Sequence, residues 1–223
     1  MVSSDPSIKA VIFDYGGVLT TQGRVAINAW TRAERIKPET FSAALKEWLS
    51  RSAPSGTPIH RLETGEISGA EFDRLLAARL HTVDDEPVAP DGLMARMFSY
   101  MRPDDAMHRL VADLREAGQR TALLSNSWGN NYPWDTLNGL FELAVISSEV
   151  GLRKPDPRIY ELTLDRLGLR PQEAVFVDDG APNIEAAEEL GLRGVLHTDA
   201  AKTRAELGGL LPRLGPDIAE ETE

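Results

Sequence analysis

The sequence contains no cysteine, few aromatic residues and no long apolar run. Without cysteine, disulfide bonds, Cys-x-x-Cys redox chemistry and thiolate metal sites are excluded. No apolar run approaches the roughly 18–20 residues that a membrane-spanning helix needs. Residues 1–9 lack a basic stretch followed by an apolar one, so we expect no signal peptide. These absences predict a soluble, cytoplasmic protein with no membrane partner.

Positive charge is also scarce. The 223 residues carry 24 Lys and Arg against 35 Asp and Glu, which gives a formal net charge of −11. Because nucleic acids and anionic membranes attract basic surfaces, we expect neither as a partner. Apolar residues make up 42% of the chain, which excludes a wholly disordered protein. The length allows one or two domains and leaves the oligomeric state open.

Short apolar runs alternate with segments of helical periodicity. None of these runs alternates apolar with polar residues, which indicates strands that are covered on both faces. The predicted strands are residues 10–13, 121–124, 144–146, 174–177 and 194–197. The helical segments between them are residues 104–117, 156–167 and 183–190. This alternation predicts an α/β fold with a doubly wound parallel sheet.

A long stretch after the first predicted strand has no strand pattern. Its helical segments are residues 25–36, 39–49, 69–80 and 91–101, separated by turn-rich breaks at 52–58 and 84–90. A structureless connection of this length is unusual in a compact domain. We therefore predict a smaller α-helical domain, residues 20–101, inserted into an α/β core formed by residues 1–19 and 102–223. Within that core, we expect residues 215–223 to be a disordered tail.

Polar residues stand where several predicted strands end. Ligands of open α/β sheets bind beyond the carboxyl ends of the strands, so these residues are predicted to share one site. They are Asp14, Tyr15 and Gly16 after the first strand, Ser125 and Asn126 after the second, Lys154 after the third, and Asp178 and Asp179 after the fourth.

Each of these residues also has a purely structural interpretation. Asp14 before two glycines is compatible with a turn, Ser125 with a helix N-cap, and Lys154 with a solvated side chain. The acid pair Asp178–Asp179 is harder to explain in this way, because adjacent carboxylates repel each other unless a cation or a cap relieves them. The joint arrangement therefore favours a functional site.

The motifs, in this order, resemble those of the haloacid dehalogenase (HAD) superfamily. The matching segments are VIFDYGGVL at 11–19, LLSN at 123–126, KPDP at 154–157 and VFVDDGAPN at 175–183. The resemblance covers residues 8–20 and about 102–200. It implies a Rossmann-like core with a helical cap inserted after the first strand, in agreement with the predicted insertion. We refer to residues 20–101 as the cap.

The resemblance also implies a Mg²⁺-dependent phosphatase that acts on a small organic phosphate. Asp14 would attack phosphorus and form an aspartyl-phosphate, which water then hydrolyses. Mg²⁺ would be held by Asp14, the backbone carbonyl of Gly16 and Asp179, with Asp178 as a further ligand or just outside the ligand sphere. Lys154 would supply the remaining positive charge and act as a second catalytic residue.

Phosphate binding is expected from the same loops. The N–H groups of Tyr15 and Gly16, the Ser125 hydroxyl and the amide of Asn126 would donate hydrogen bonds to the phosphoryl oxygens, and Lys154 would add its charge.

One position departs from the family pattern. Gly16 stands where the phosphatases usually carry an Asp that protonates the leaving group, a role that contributes roughly 10²–10⁴ to the rate. Substrates with good leaving groups, such as aryl, acyl or anomeric phosphates, would need little of this help. Alternatively, His60 or Glu63 of the cap would reach the site, although a His-x-x-Glu pair of this kind usually lies on an exposed helix surface.

Two other functions remain open at this stage. The first is a phosphate- or metal-binding protein whose turnover is weak or lost because of Gly16. The second is a 2-haloacid dehalogenase, which uses an Asp nucleophile without a metal; the Asp178–Asp179 pair argues against it, since two uncompensated acids would repel a haloacid. The aromatic loop at 127–134 either packs the cap against the core or contacts substrate.

Overall fold

Five apolar segments form one parallel sheet. The structure is a computed structural model that describes residues 7–49, 56–129, 132–211 and 214. The strands, in the spatial order β3-β2-β1-β4-β5, are β1 (Ala10–Phe13), β2 (Arg120–Ser125), β3 (Leu143–Ile146), β4 (Ala174–Asp178) and β5 (Arg193–Leu196). All four strand pairings are parallel. The five predicted strands are therefore confirmed within one or two residues.

The segment between β1 and β2 contains helices and, within its described part, no strand of the sheet. Five of these helices lie in the cap: α1 (Gly23–Ala33), α2 (Pro38–Leu49), α3 (Pro58–Glu63), α4 (Gly69–Ala77) and α5 (Leu93–Phe98). They pack around a hydrophobic cluster of their own, which includes Trp30, Phe41, Phe72 and Leu93. The division into two domains stays a prediction, and its expected tail at 215–223 lies outside the described residues.

The remaining helices flank the sheet. They are α6 (Asp105–Glu116), α7 (Trp134–Leu137), α8 (Ser147–Val150), α9 (Pro157–Leu167), α10 (Ala181–Glu189) and α11 (Ala200–Leu210), with a 3₁₀ turn at Pro171–Glu173. Val11 and Phe13 of β1 pack with α6, whereas Ala10 and Ile12 pack with α9 and α10. Because successive side chains of a strand point to opposite faces, both faces of the sheet are covered. The predicted doubly wound α/β fold is confirmed.

Four of the described helices, α3, α7, α8 and α11, were not predicted, and two of them begin at a side-chain N-terminal cap. The Thr57 hydroxyl accepts a hydrogen bond from the N–H of His60 at 3.4 Å and starts α3, although 52–58 reads as a turn-rich break. Asp199 caps α11 by accepting from the N–H of Lys202 at 2.9 Å. Thr-Pro marks a turn and a helix start equally well, so the pattern alone did not separate the two.

The first predicted cap helix ends earlier than expected. The spacing predicts residues 25–36, but α1 ends at Ala33, and Arg35 adopts a positive φ of 55°. Ile36 then forms an isolated antiparallel bridge with Thr82. Tertiary pairing therefore replaces the last helical turn. None of the helices in the described part of the chain is long and apolar enough to cross a membrane.

Candidate active site

The predicted site residues of β1, β2 and β4 lie side by side. β1 is paired with β2 on one side and with β4 on the other, so Asp14, Ser125 and Asp178 come from three adjacent strand ends. The backbone N–H of Asp14 donates to the carbonyl of Val177 at 2.9 Å, which continues the β1–β4 ladder to Asp14. The sheet order therefore brings together the residues that the strand-end argument predicted.

Lys154 lies buried between two of the carboxylates. Its Nζ is 2.7 Å from Asp14 Oδ1 and 2.7 Å from Asp178 Oδ2, and the residue is only 1% exposed. Burial alone would lower the pKa of Lys154, but attraction to both carboxylates outweighs it and raises the pKa above its usual value. The ammonium also lies 5.3 Å from the ring centre of Phe176, a cation–π distance. Lys154 is therefore a fixed positive charge beside Asp14, and the solvated interpretation is wrong.

Asn126 makes a different set of contacts from the one expected. Its side-chain Oδ1 accepts from the backbone N–H of Lys154 at 2.8 Å, and its Nδ2 donates to the Lys154 carbonyl at 3.0 Å. The amide side chain thus pairs with the main chain of the lysine. These contacts indicate that Asn126 positions Lys154, and substrate binding by Asn126 stays a prediction.

The carboxylate of Asp178 is fully enclosed by protein donors. Its Oδ1 accepts from the N–H of Gly180 at 2.7 Å and from Asn183 Nδ2 at 2.9 Å, while Oδ2 accepts from Lys154. Asp178 is 0% exposed. With both oxygens engaged in this way, Asp178 is suited to orient Lys154. Asn183 belongs to the quoted motif, but nothing in the sequence pattern marked it as a partner of Asp178.

Three carboxylates converge on one point. Oxygen atoms of Asp14, Asp178 and Asp179 lie within 4.8 Å of one another. Burial raises the pKa of Asp14 to about 7, with Lys154 opposing that rise and Asp178 adding to it. Burial and the charge of Asp178 also raise the pKa of Asp179. Three acids facing one ammonium leave an excess of negative charge, and carboxylate oxygens are the ligands that Mg²⁺ prefers, so this donor set fits a divalent cation.

Gly17 allows the close approach of Asp179. Its φ is +80°, and a Cβ at this position would lie 2.3 Å from Asp179 Oδ2. Gly16 differs, because a Cβ there would meet no other atom within 4 Å among the described residues. The position where the phosphatases of the family usually carry an acid is therefore open space beside Asp14.

The aromatic residues of the loop at 127–134 lie in different places. Trp128 packs against the cap cluster, with its ring centre 6.4 Å from that of Phe72, so here the packing interpretation applies. Tyr132 instead lies in the site, where its hydroxyl donates to Ser125 Oγ at 2.9 Å and its ring contacts Tyr15 at a centre distance of 4.9 Å. Trp134 is 44% exposed. Residues 130 and 131 of the loop lie outside the described part of the chain.

Glu63 is buried, contrary to the expected exposed surface. It is 3% exposed, and its Oε1 accepts from the indole N–H of Trp128 at 2.8 Å. Its Oε2 accepts from the guanidinium of Arg153. The carboxylate thus bridges the two loops that carry Ser125 and Lys154, and both of its oxygens are engaged. Burial and the charge of Arg153 lower the pKa of His60, whose role as an acid stays a prediction.

Comparison with known proteins identifies the family. A family model described as haloacid dehalogenase-like hydrolase matches residues 8–191. The chain belongs to this family. The Rossmann-like core that the motifs suggested agrees with this family.

The chain is also similar in sequence to individual proteins. The chain is 33% identical over 203 residues to mouse acyl-CoA dehydrogenase family member 10, but it spans only 18% of the length of that protein. It is 29% identical to phosphatase MT3486 of Mycobacterium tuberculosis, covering 94% of this chain and 100% of the relative. Over most of its length, the chain thus resembles a protein named as a phosphatase.

A solved structure shares the fold. A HAD family enzyme from Bacteroides thetaiotaomicron, in complex with magnesium and inorganic phosphate, superposes with a TM-score of 0.63 at 23% identity. The match covers 86% of this chain and 95% of that one. At this identity the likeness shows the fold alone.

Proposed function

We propose that the protein is a Mg²⁺-dependent phosphatase that hydrolyses a small organic phosphate through Asp14. The observation that carries the proposal is the placement of Lys154, which is buried and bonded to both Asp14 and Asp178 next to a third carboxylate. A phosphate monoester dianion repels an attacking carboxylate, so its charge must be neutralised. The fixed ammonium and an acidic cation site beside one nucleophile meet that requirement.

In this proposal the residues have distinct roles. Mg²⁺ would be held by Asp14, the carbonyl of Gly16 and Asp179, and when bound it would neutralise phosphoryl charge. Among the described residues, Asp178 accepts hydrogen bonds from Gly180, Asn183 and Lys154, and it would keep Lys154 in place. One carboxylate oxygen of Asp14 is bonded to Lys154, which leaves the other oxygen for attack on phosphorus.

The bond changes follow from these positions. The Asp14 oxygen forms a bond to phosphorus, and the ester P–O bond breaks, so the leaving group departs with its electron pair and takes a proton from water. Ser125 and the N–H groups of Tyr15 and Gly16 would stabilise the phosphoryl oxygens. Water then attacks the aspartyl-phosphate, releasing inorganic phosphate and restoring Asp14.

The decisive experiment compares wild type with Asp14→Asn, using p-nitrophenyl phosphate with and without Mg²⁺. We expect Mg²⁺-dependent turnover in the wild type and none in Asp14→Asn, because an amide cannot act as the nucleophile. Asp165→Asn, an exposed acid of α9, is the matched control and is expected to retain wild-type activity. Turnover that survives in Asp14→Asn, or that is unaffected by EDTA, would contradict the proposal.

A second candidate is a binding protein that has lost turnover. The open space at Gly16, where no acid is available to protonate a leaving group, favours it. It predicts Mg²⁺-dependent binding of phosphorylated metabolites without release of phosphate from any of them. A screen that measures both binding and phosphate release on one panel of metabolites separates the two candidates.

A haloacid dehalogenase activity fits the site less well. A haloacid carries its own carboxylate, which would meet the Asp179 carboxylate beside Asp14. The proposed substrate is therefore a small phosphorylated molecule, and we expect no halide release from 2-haloacids.

A further inference from the structure

The hydroxyl of Ser125 has a hydrogen-bond partner, Tyr132, that lies outside the LLSN motif. Its side chain is 2% exposed, and the phenol of Tyr132 donates a hydrogen bond to Ser125 Oγ at 2.9 Å. Seven residues separate the two side chains along the chain, and the loop after β2 folds back to bring them together. A serine hydroxyl has one proton to donate and two lone pairs that accept. With one lone pair taken by Tyr132, the proton of Ser125 is directed to another acceptor.

Several contacts hold Tyr132 in this position. Its ring packs edge-on against Tyr15, the residue directly after the nucleophile, at a centre distance of 4.9 Å. On its other side the ring centre of Trp134 lies 5.3 Å away. The phenol is thus oriented by aromatic neighbours on both sides, and its hydroxyl is directed at the strand end of β2.

We propose that Tyr132 is a positioning residue that fixes the Ser125 hydroxyl as a hydrogen-bond donor to the phosphoryl group of the substrate. The inference rests on the proposed phosphatase function and adds a residue to it. An unconstrained hydroxyl rotates among several acceptors, so it would have to be ordered as the transition state forms. A hydroxyl that is already oriented avoids that reorganisation.

The surroundings of Tyr132 keep its phenol protonated, so that it can act as a hydrogen-bond donor. Burial raises the pKa of Tyr132 to about 12; the hydrogen bond with Ser125 opposes this rise, and the charge of Asp14 adds to it. The phenol therefore keeps its proton throughout the neutral pH range. The influence of Asp14 also shows that the phenol lies in the electrostatic field of the nucleophile.

A double-mutant cycle tests the inference. Tyr132→Phe removes the hydroxyl but keeps the ring, and we expect kcat/KM for p-nitrophenyl phosphate to fall about 3-fold to 10-fold, as for the loss of one net hydrogen bond. In the Ser125→Ala background, Tyr132→Phe is expected to lower kcat/KM by less than about 2-fold, because the hydroxyl that Tyr132 would position is absent. Tyr100→Phe, a half-buried tyrosine of the cap, is the matched control and is expected to be silent.

The choice of substrate separates positioning from proton donation. Ser125 would contact the phosphoryl group that all substrates share, so Tyr132→Phe is expected to reduce turnover of p-nitrophenyl phosphate and of glycerol 2-phosphate by the same factor. A phenol that protonated the leaving group would instead matter more for the alkyl ester. A larger loss with glycerol 2-phosphate would overturn the inference, as would an equal effect of Tyr132→Phe with and without Ser125.

A measurement of phosphate binding tests the role of Tyr132 even if the wild type shows no turnover. Absence of turnover in the wild type would contradict the phosphatase proposal alone. Calorimetric titration with inorganic phosphate in the presence of Mg²⁺ then reports the same contact, and Tyr132→Phe is expected to weaken phosphate binding only when Ser125 is present. Unchanged affinity in Tyr132→Phe, with an unchanged melting temperature, would overturn the role of Tyr132.

Discussion

At the scale of single residues, the two neighbouring glycines that follow Asp14 and Tyr15 have different physical roles. Gly17 has a positive φ and lies so close to the Asp179 carboxylate that any side chain would displace it. Gly16 has neither constraint, because the space above its Cα is open. The first glycine is required by geometry, whereas the second leaves room for the acid that the family usually carries there. The glycine at position 16 is thus a choice of residue and not a consequence of the fold.

Gly16→Asp is therefore expected to increase phosphatase activity. A general acid contributes roughly 10²–10⁴ to the rate, and a newly introduced one that is less well positioned should raise kcat for glycerol 2-phosphate by about 10-fold or more. Turnover of p-nitrophenyl phosphate should change little, since its leaving group needs no proton. Gly16→Asn has nearly the same size but no acidic proton. An equal gain in the Asn variant would contradict this explanation.

Gly17→Ala is expected to destabilise the protein. Its Cβ would meet Asp179 Oδ2, and the positive φ disfavours any side chain. We expect a loss of about 1–3 kcal/mol in the free energy of unfolding, together with weaker binding of Mg²⁺. Urea denaturation and a Mg²⁺ titration of activity measure the two effects. Wild-type values for both would show that Asp179 can move away without cost.

At the scale of secondary-structure elements, α3 of the cap connects the two loops that carry the site. Its last residue, Glu63, accepts from Trp128 in the loop after β2 and from Arg153 next to Lys154. The backbone carbonyl of Glu63 also accepts from the Ser147 hydroxyl. A helix of six residues thus fixes both loops relative to the cap, although the cap has its own hydrophobic cluster.

Glu63→Gln should loosen this connection. The glutamine keeps the size of the side chain but removes the charge that pairs with Arg153, and we expect the free energy of unfolding to fall by about 2 kcal/mol. KM for p-nitrophenyl phosphate should rise as the two loops become less ordered. Glu66→Gln, an exposed neighbour, serves as the control. Similar denaturation curves for the two variants would contradict a special role for Glu63.

A second element gives a pH-dependent prediction away from the site. Glu173, at the end of the 3₁₀ turn before β4, accepts hydrogen bonds from Arg170 and pairs with Lys9 at 2.7 Å. The hydrogen bonds from Arg170 and Lys9 lower the pKa of Glu173 to about 2. A carboxyl with a lowered pKa stabilises the fold above its unfolded-state pKa near 4.5 and loses that contribution as the pH falls toward 2.

The difference in melting temperature between wild type and Glu173→Gln isolates this contribution. We expect the wild type to have the higher melting temperature by a constant amount between about pH 6 and 8, because this range lies well above the unfolded-state pKa of about 4.5. The advantage should shrink steadily as the pH falls through the range between the two pKa values. A difference that does not vary with pH would show that the ion pairs of Glu173 add nothing to stability.

At the scale of the whole molecule, the excess of negative charge inside the site links cation binding to stability. Asp14, Asp178 and Asp179 face one ammonium, and burial raises the pKa of both Asp14 and Asp179. A cation that binds the folded state and not the unfolded chain stabilises the fold, by about 2.7 kcal/mol at a concentration one hundred times its Kd. We therefore expect cation binding at this site to stabilise the folded protein.

Mg²⁺ is accordingly expected to raise the melting temperature of the wild type in a concentration-dependent way. Asp179→Asn should lose most of this effect, because it removes one of the two carboxylates proposed as direct ligands. Asp165→Asn should respond like the wild type. The assignment of Asp179 would be refuted by a Mg²⁺-induced shift of the same size in Asp179→Asn.

The sequence by itself determined the strands of the parallel sheet and which polar residues stand at their carboxyl ends. Unbroken apolar runs predict buried parallel strands, and the residues at their ends follow from the geometry of parallel sheets, so β1, β4 and the positions of Asp14 and Asp178 could be predicted. Those inferences depend on local patterns and on one general rule of topology. They hold because strand formation and side-chain alternation are properties of short segments.

Only the tertiary structure decided which side chains meet. Glu63 lies 90 residues from Arg153, and Asn126 lies 28 residues from Lys154; no periodicity relates such positions. The contact between Tyr132 and Ser125 depends on how a loop folds over the sheet, and the same residues would pack the cap if the loop turned the other way. Side-chain partners across loops are set by the packing of whole elements, which short-range patterns do not encode.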